Sequence, residues 1–401
     1  MPREGAEDWQ AVAGGFITHF VAFGISYSFG VFFVSIGRSF GQGAGPTAWI
    51  YGLQAATMLG SSRPLGRLAD RVGARPIIVA GALLMGTGLC LTSVASDMWE
   101  VWITYGILFG VGTGCEFGPV QGAVARRFDQ HKGLALGLVL AGSGIGTLVV
   151  APTAAHLIDA IGWRGTLRVF AVVLVVLTLV AALLIRDAPE PVPTESAPAL
   201  WRDRRFRLIY GAIFFGAFGY IVPFAYLVPY AEDRHVSTST AALMLATMGG
   251  LSTVGRIAFA ALADRRGRVE VLRLTTVLMA ALLFVWPALG STAGIFAFAA
   301  LFGAAAGGWV SVLPGLVGDY FGARSLKANL GAVYTAMLCG TLFAPPLTGA
   351  LFDARGTFTL AALLAAGAVA VNWLLLLPLP KTRDPVGADL PRRLQPAEEG
   401  R

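Results

Sequence analysis

Apolar residues occur along this chain in twelve long stretches that contain few or no charges. A membrane-spanning helix needs about 20 such residues, and each stretch reaches that length. The stretches lie near residues 11–36, 46–69, 76–96, 101–125, 133–156, 165–185, 207–231, 239–263, 271–290, 294–318, 328–351 and 357–379. The pattern therefore predicts an all-α integral membrane protein with twelve transmembrane helices.

A polar segment between the sixth and seventh stretches divides the chain. Residues 186–205 are rich in Pro, Glu and Arg, which favours a hydrophilic loop. We expect a six-helix bundle over residues 1–186, a linker loop over 187–205, a second six-helix bundle over 206–380 and a cytoplasmic tail over 381–401.

The two predicted halves share short sequence repeats. Leu68–Arg71 reads Leu-Ala-Asp-Arg, and the same four residues return 194 positions later at Leu262–Arg265. The pair Leu157–Asp159 and Leu351–Asp353 keeps that offset. Duplicated halves are typical of secondary transporters, in which the substrate lies near the middle of the membrane between two bundles. The repeats predict pseudo-symmetric bundles.

Charge and composition exclude a soluble globular domain. Only 13% of residues are charged and 56% are hydrophobic, against about 25% and 45–50% in soluble domains. The net charge of +7 comes from basic residues scattered between the apolar stretches, so we expect contact with a lipid bilayer and none with nucleic acid. An even number of spans puts both termini on one side of the membrane, and most of the 30 Lys and Arg residues lie on that side. Because basic residues favour the cytoplasmic side, we expect both termini in the cytoplasm and the protein in a cell (inner) membrane.

Enzyme signatures are missing from the sequence. The four histidines are scattered, and no Gly-x-Ser-x-Gly or phosphate-binding loop occurs. We therefore expect neither an enzyme nor a cofactor or metal site. The cysteines lie inside apolar stretches and are expected to be free thiols.

A charged motif follows the second predicted helix, with the sequence Gly66-x3-Asp70-Arg71-x-Gly73-x-Arg75. A looser copy at Asp264-Arg265-x-Gly267 follows the eighth. The motif resembles the loop signature of the major facilitator superfamily, and the resemblance implies that fold and a gating role for these residues. We expect Gly66 to permit close helix packing and Asp70 to bind helix amides or basic groups. The alternative is an ordinary basic loop.

Further motifs narrow the resemblance. Arg126–Phe128, Lys132–Gly137 and the glycine-rich Ala141–Gly146 resemble the monocarboxylate transporters and the related oxalate/formate antiporters. Gly162–Gly165 agrees with that group. The resemblance implies a monomeric secondary transporter that carries a small monocarboxylate, such as lactate or pyruvate, together with a proton. Exchange of two organic anions, or a sensor that does not transport, are the alternatives.

Two full charges lie near the middle of a predicted span, Glu116 and Arg256. Arg256 is eight residues before Asp264, so about 12 Å inside the membrane boundary. Its rigid guanidinium suits a carboxylate, and the resemblance implies that this arginine binds the anion. Relatives from animals carry an aspartate where this chain has Ser252, so the usual proton site is missing. A structural pairing of Arg256 with another helix is the alternative.

Glu116 is the candidate for proton coupling. It lies about 15 Å from the same boundary, at a depth comparable to that of Arg256. We hypothesise that the two side chains pair in the empty site and that Glu116 takes up a proton when a substrate occupies the arginine. The alternative is a protonated side chain packed between helices.

Aromatic residues are expected to line the substrate site. His19, Phe23 and Tyr27 recur every four residues and so share one face of the first helix. Tyr334 on the eleventh helix completes this set, and Tyr220 on the seventh is a weaker candidate. One buried cation favours one carboxylate, with an apolar tail against the rings. Asn372 is expected to form a hydrogen bond between helices.

Overall fold

The computed structural model describes residues 5–128, 131–185, 200–322 and 326–380. Its α-helices are α1 (Ala6–Tyr27), α2 (Phe29–Ser39), α3 (Ala44–Val72), α4 (Ala74–Val94), α5 (Met98–Val101), α6 (Gly110–Arg127), α7 (Lys132–Leu184), α8 (Arg204–Asp233), α9 (Thr238–Arg266), α10 (Arg268–Val285), α11 (Thr292–Phe321), α12 (Leu326–Arg355) and α13 (Thr359–Leu376). A π-helix (Trp102–Phe109) joins α5 to α6, and short 3-10 helices lie at Leu200–Arg202 and Trp286–Ala288.

These thirteen helices make the twelve predicted spans. The first span is α1 and α2, bent by 42°. The fourth span joins α5, the π-helix and α6. The 53 residues of α7 form both the fifth and the sixth span, and the helix breaks between them at Gly162, whose φ is 71°. Within the described residues, eight helices are long and apolar enough to cross a membrane, or nine when the bent pair is one span. The broken fourth span, the double length of α7 and the polar composition of α3 account for the difference from twelve.

Both ends of the described chain lie at one face of the bundle, since the number of spans is even. We call the face where α1 begins and α13 ends the terminal face, and the other the opposite face. The first half comprises α1–α7 and the second α8–α13. Most of the expected linker and the whole tail lie outside the described residues.

Small residues let the two halves approach closely along α7 and α9. A side-chain carbon on Gly144 would collide with the hydroxyl of Thr253 and the carbonyl of Gly249. The other long contact between halves pairs α3 with α12. Glycine at such crossings permits backbone contact in membrane helices, where apolar burial alone does not drive association.

Asp353 joins the halves at the opposite face. Its carboxylate, at the end of α12, accepts hydrogen bonds of 2.8 Å from the backbone amides of Ala44 and Gly45 at the start of α3. A side-chain carbon on Gly43 would lie 2.6 Å from this carboxylate. The second half therefore supplies the cap that α3 lacks from its own side chains.

One expected polar contact between helices is not formed. Asn372 on α13 is fully buried, yet neither atom of its amide has a hydrogen-bond partner within the described chain. The prediction for Asn372 was therefore wrong.

Candidate functional site

Arg256 reaches from α9 into the first half. Its Nη1 donates hydrogen bonds to the Leu140 carbonyl (2.8 Å) and the Ser143 hydroxyl (2.9 Å), both on α7. Ser252, one turn earlier on α9, is buried, and its hydroxyl has no partner within the described chain. The guanidinium therefore lies where the two halves meet.

The predicted aromatic face of α1 points toward this meeting place. The rings of His19 and Phe23 stack with centroids 5.0 Å apart, and those of Phe23 and Tyr27 lie 5.8 Å apart. His19 lies within electrostatic range of Arg256. The side chains that share a face in the sequence thus lie together in the structure.

Rings from both halves continue this surface. Phe117 of α6 lies 5.7 Å from Phe23 and 6.3 Å from Tyr334 of α12, between ring centroids. Tyr27 lies 5.1 Å from Phe224 of α8. The aromatic side chains therefore bridge the two halves.

A second group of rings extends from α8 into the second half. Tyr220 lies 5.2 Å from Phe224 and stacks on Trp309 of α11 at 5.9 Å. Arg256 interacts electrostatically with Tyr220. We call the connected set of rings that reaches Arg256 through His19 and Tyr220 the central cluster. It consists of His19, Phe23, Tyr27, Phe117, Tyr220, Phe224, Trp309 and Tyr334.

The sequence pattern did not indicate some members of the site. Phe224 follows Tyr220 by four residues, so the helical period could have indicated it. Phe117 is adjacent to Glu116 and Trp309 lies in an apolar stretch, so neither carried a distinguishing signal. Ser143 lies among small residues whose pattern indicated packing.

Glu116 lies inside the first half, away from the expected partner. It is fully buried on α6, and both carboxylate oxygens are without hydrogen-bond partners among the described residues. A side-chain carbon on Gly81 of α4 would lie 3.3 Å from Oε1. The expected ion pair with Arg256 is therefore not formed, because Glu116 faces α4 while Arg256 faces α7.

A polar link from α1 lies between these two charges. Thr18 lies near Glu116 without a hydrogen bond to it, and the Thr18 hydroxyl lies 3.5 Å from Nδ1 of His19. Nε2 of the buried His19 has no hydrogen-bond partner within the described chain. Thr18 and His19 thus connect the surroundings of Glu116 to those of Arg256.

A family model described as Major Facilitator Superfamily matches this sequence over residues 15–295 and again over 209–399. The chain belongs to the major facilitator superfamily. Monocarboxylate transporter 11 of Homo sapiens is 30% identical over 418 residues, which cover 100% of this chain and 88% of the relative. Monocarboxylate transporter 12-B of Danio rerio is 30% identical over 94% of this chain and 87% of the relative. The MFS-type transporter pynF of Aspergillus niger is 30% identical over 86% of this chain and 82% of the relative.

These likenesses place this facilitator in the monocarboxylate transporter group. Together with the apolar helices, they make it a multi-pass membrane transporter and not an enzyme. The described residues include no group of His, Cys, Asp or Glu that could hold a metal ion.

The charged motif of this facilitator lies at the terminal face. Asp70 at the end of α3 accepts a 2.8 Å hydrogen bond from Arg126 at the end of α6, as expected for a basic partner on a neighbouring helix. Gly73 turns the chain from α3 into α4 with φ of 89°, a conformation that favours glycine. A side-chain carbon on Gly66 would meet no atom within 4 Å, so the expectation of close packing there was wrong.

The copy of the motif in the second half uses the opposite arrangement of charges. Arg268, which begins α10, forms an ion pair with Asp319 near the end of α11. The loop thus supplies the base in the second half, whereas in the first half it supplies the acid, Asp70, which pairs with Arg126. The remaining predicted charges of both copies are exposed, namely Arg71, Arg75, Asp264 and Arg265. Both halves therefore fasten one loop to the end of a neighbouring helix.

Proposed function

We propose that this facilitator carries a small monocarboxylate, such as lactate or pyruvate, together with a proton by alternating access. The observation that carries the proposal is Arg256, a cation at the meeting of the halves that lies within electrostatic range of His19 and Tyr220 of the central cluster. A guanidinium binds a carboxylate through two parallel charge-assisted hydrogen bonds, which are stronger than neutral ones. The anion would therefore bind to both halves.

The central cluster supports a substrate with an apolar tail. Phe23, Tyr27 and Tyr334 present rings from both halves, while a single arginine offers charge for one carboxylate. A second carboxylate would lie unpaired among rings, which is costly in a site of low polarity. Dicarboxylates are therefore expected to be poor substrates.

Glu116 is the proposed proton site. Burying an ionised carboxylate that has no hydrogen bonds is costly, so we expect the Glu116 side chain to bind a proton. In this proposal, Thr18 and His19 link Glu116 to the anion site, in place of the direct ion pair that the sequence suggested. The proton and the anion would then cross as a neutral pair.

The transporter would function as a monomer in the cell (inner) membrane with both termini in the cytoplasm. The distribution of Lys and Arg supports this orientation. In the same proposal, Asp70 and Arg71 with the rest of the two charged motifs govern opening at the terminal face.

Uptake by proteoliposomes tests the proposal. Labelled lactate and pyruvate are supplied with and without an inward proton gradient, to the native protein and to Arg256→Gln. Arg168→Gln is the matched control, because Arg168 bonds Ser93 away from the central cluster. Uptake that rises with the gradient and is lost only in Arg256→Gln supports the proposal, and gradient-insensitive uptake or an active Arg256→Gln contradicts it.

Exchange of two organic anions is the second candidate function. Ser252 provides no carboxylate beside Arg256, and Glu116 does not reach it, so coupling to protons would be weak. An exchanger would require an anion inside the vesicles, and its uptake would be independent of the gradient.

A further inference from the structure

Groups on α7 use the whole donor capacity of one guanidinium nitrogen. Nη1 of Arg256 carries two hydrogens, and its two hydrogen bonds go to Leu140 and Ser143. The Ser143 hydroxyl donates in turn to the Leu140 carbonyl at 2.7 Å. Ser143 is only 3% exposed, so water does not replace this network. The plane of the guanidinium is therefore fixed from the first half.

The other edge of the guanidinium is not held by α7. Nε of Arg256 is buried and has no hydrogen-bond partner in the described part of the chain, and both α7 bonds use Nη1, while the Tyr220 side chain also lies near the guanidinium. Buried polar hydrogens are rarely left unpaired in folded proteins. The hydrogens of Nε and Nη2 are parallel, and their spacing matches the two oxygens of a carboxylate.

We infer that Ser143, with the Leu140 carbonyl, is a positioning residue that turns the Nε–Nη2 edge of Arg256 toward the substrate carboxylate. The inference deepens the proposed function and depends on it for the identity of the anion. The carboxylate does not displace Ser143, because the two bind opposite edges. Arg256 therefore remains fastened to α7 while it binds the anion.

Chemical modification tests the positioning without any substrate. 2,3-Butanedione reacts with the terminal nitrogens of a guanidinium, and peptide mass spectrometry follows the adduct at Arg256. Loss of a hydrogen bond to a charged group predicts about tenfold faster modification in Ser143→Ala. Equal rates in Ser143→Ala and the native protein would overturn the inference.

Ser93→Ala is the matched control. Its hydroxyl donates to the Cys90 carbonyl at 2.7 Å and accepts from Nε of Arg168 at 3.1 Å, which repeats the arrangement of Ser143 away from the central cluster. This variant should leave modification of Arg256 unchanged. A faster reaction at Arg256 in Ser93→Ala would show a general loosening of the protein and would contradict a specific role for Ser143.

Pyruvate uptake tests the consequence for binding. Ser143→Ala is expected to raise KM about tenfold with little change in maximal rate, and Ser143→Thr, which keeps a hydroxyl, should restore KM. The ammonium of Arg256→Lys lacks the planar edge that Ser143 would orient. Adding Ser143→Ala to Arg256→Lys should therefore not change KM further. An unchanged KM in Ser143→Ala, or additive effects of the two substitutions, would overturn the inference. If the native protein takes up no pyruvate, the proposed function fails, whereas the modification rates still decide the positioning.

Discussion

Removal of the Asp353 carboxylate is expected to open the opposite face. In Asp353→Ala the closed form loses both 2.8 Å bonds to the amides of Ala44 and Gly45, whereas the open form, in which water solvates these amides, loses no such bond. Each bond should contribute about 0.5–1 kcal/mol, less than is usual for a charged acceptor because Asp353 is exposed. The loss of about 1–2 kcal/mol multiplies the ratio of open to closed forms about 5- to 30-fold.

Spin labels at the opposite face can measure this shift. The two labels replace Gln42, before α3, and Thr357, after α12, in a protein whose three free cysteines have been substituted. Pulsed electron resonance then gives the distance distribution, in which a longer distance reports separation of the halves. Asp353→Asn keeps one acceptor oxygen and should fall between the native protein and Asp353→Ala.

The repeat provides a matched control. Asp159 stands 194 residues before Asp353, is exposed, and forms no hydrogen bond or ion pair with the described residues. Asp159→Ala should leave the distance distribution unchanged. If Asp353→Ala also leaves it unchanged, the carboxylate does not hold the halves together and the reasoning is refuted.

Other substitutions test separate parts of the structure. Glu116→Gln should abolish the response of pyruvate uptake to a proton gradient and spare exchange, and a retained response would exclude Glu116 as the proton site. Gly144→Ala should lower the melting temperature, since overpacking costs about 1–3 kcal/mol. Gly137→Ala should leave the melting temperature unchanged, because its new carbon meets no atom within 4 Å. An equal drop in melting temperature in both variants would contradict the close crossing of α7 and α9. Asp70→Asn weakens the bond to Arg126 by about 1 kcal/mol and should slow uptake, and an unchanged rate would argue against a gating role.

Hydropathy and helical spacing account for what the sequence predicted well. Spans are local properties, because a helix in a bilayer satisfies its own backbone hydrogen bonds and needs only sufficient apolar length. The same regularity placed His19, Phe23 and Tyr27 on one face of α1, and gave the depth of Arg256 from its distance to Asp264. These features depend on residues within one helix.

The partners of the buried charges depended on the tertiary structure. Glu116 and Arg256 have similar depths in the sequence, but depth does not say which way a side chain points around the helix axis. Packing turned Glu116 toward α4 and Arg256 toward α7, so the expected pair was not formed.

The contact of Asp353 with α3 joins residues more than 300 positions apart and likewise carried no local signal. The sequence by itself determined which segments cross the membrane and at what depth their charges lie, since both follow from a fixed rise per residue. Only the packing of the two halves decided which helix each polar side chain meets, because the rotation and neighbours of a helix are set by its contacts with other helices.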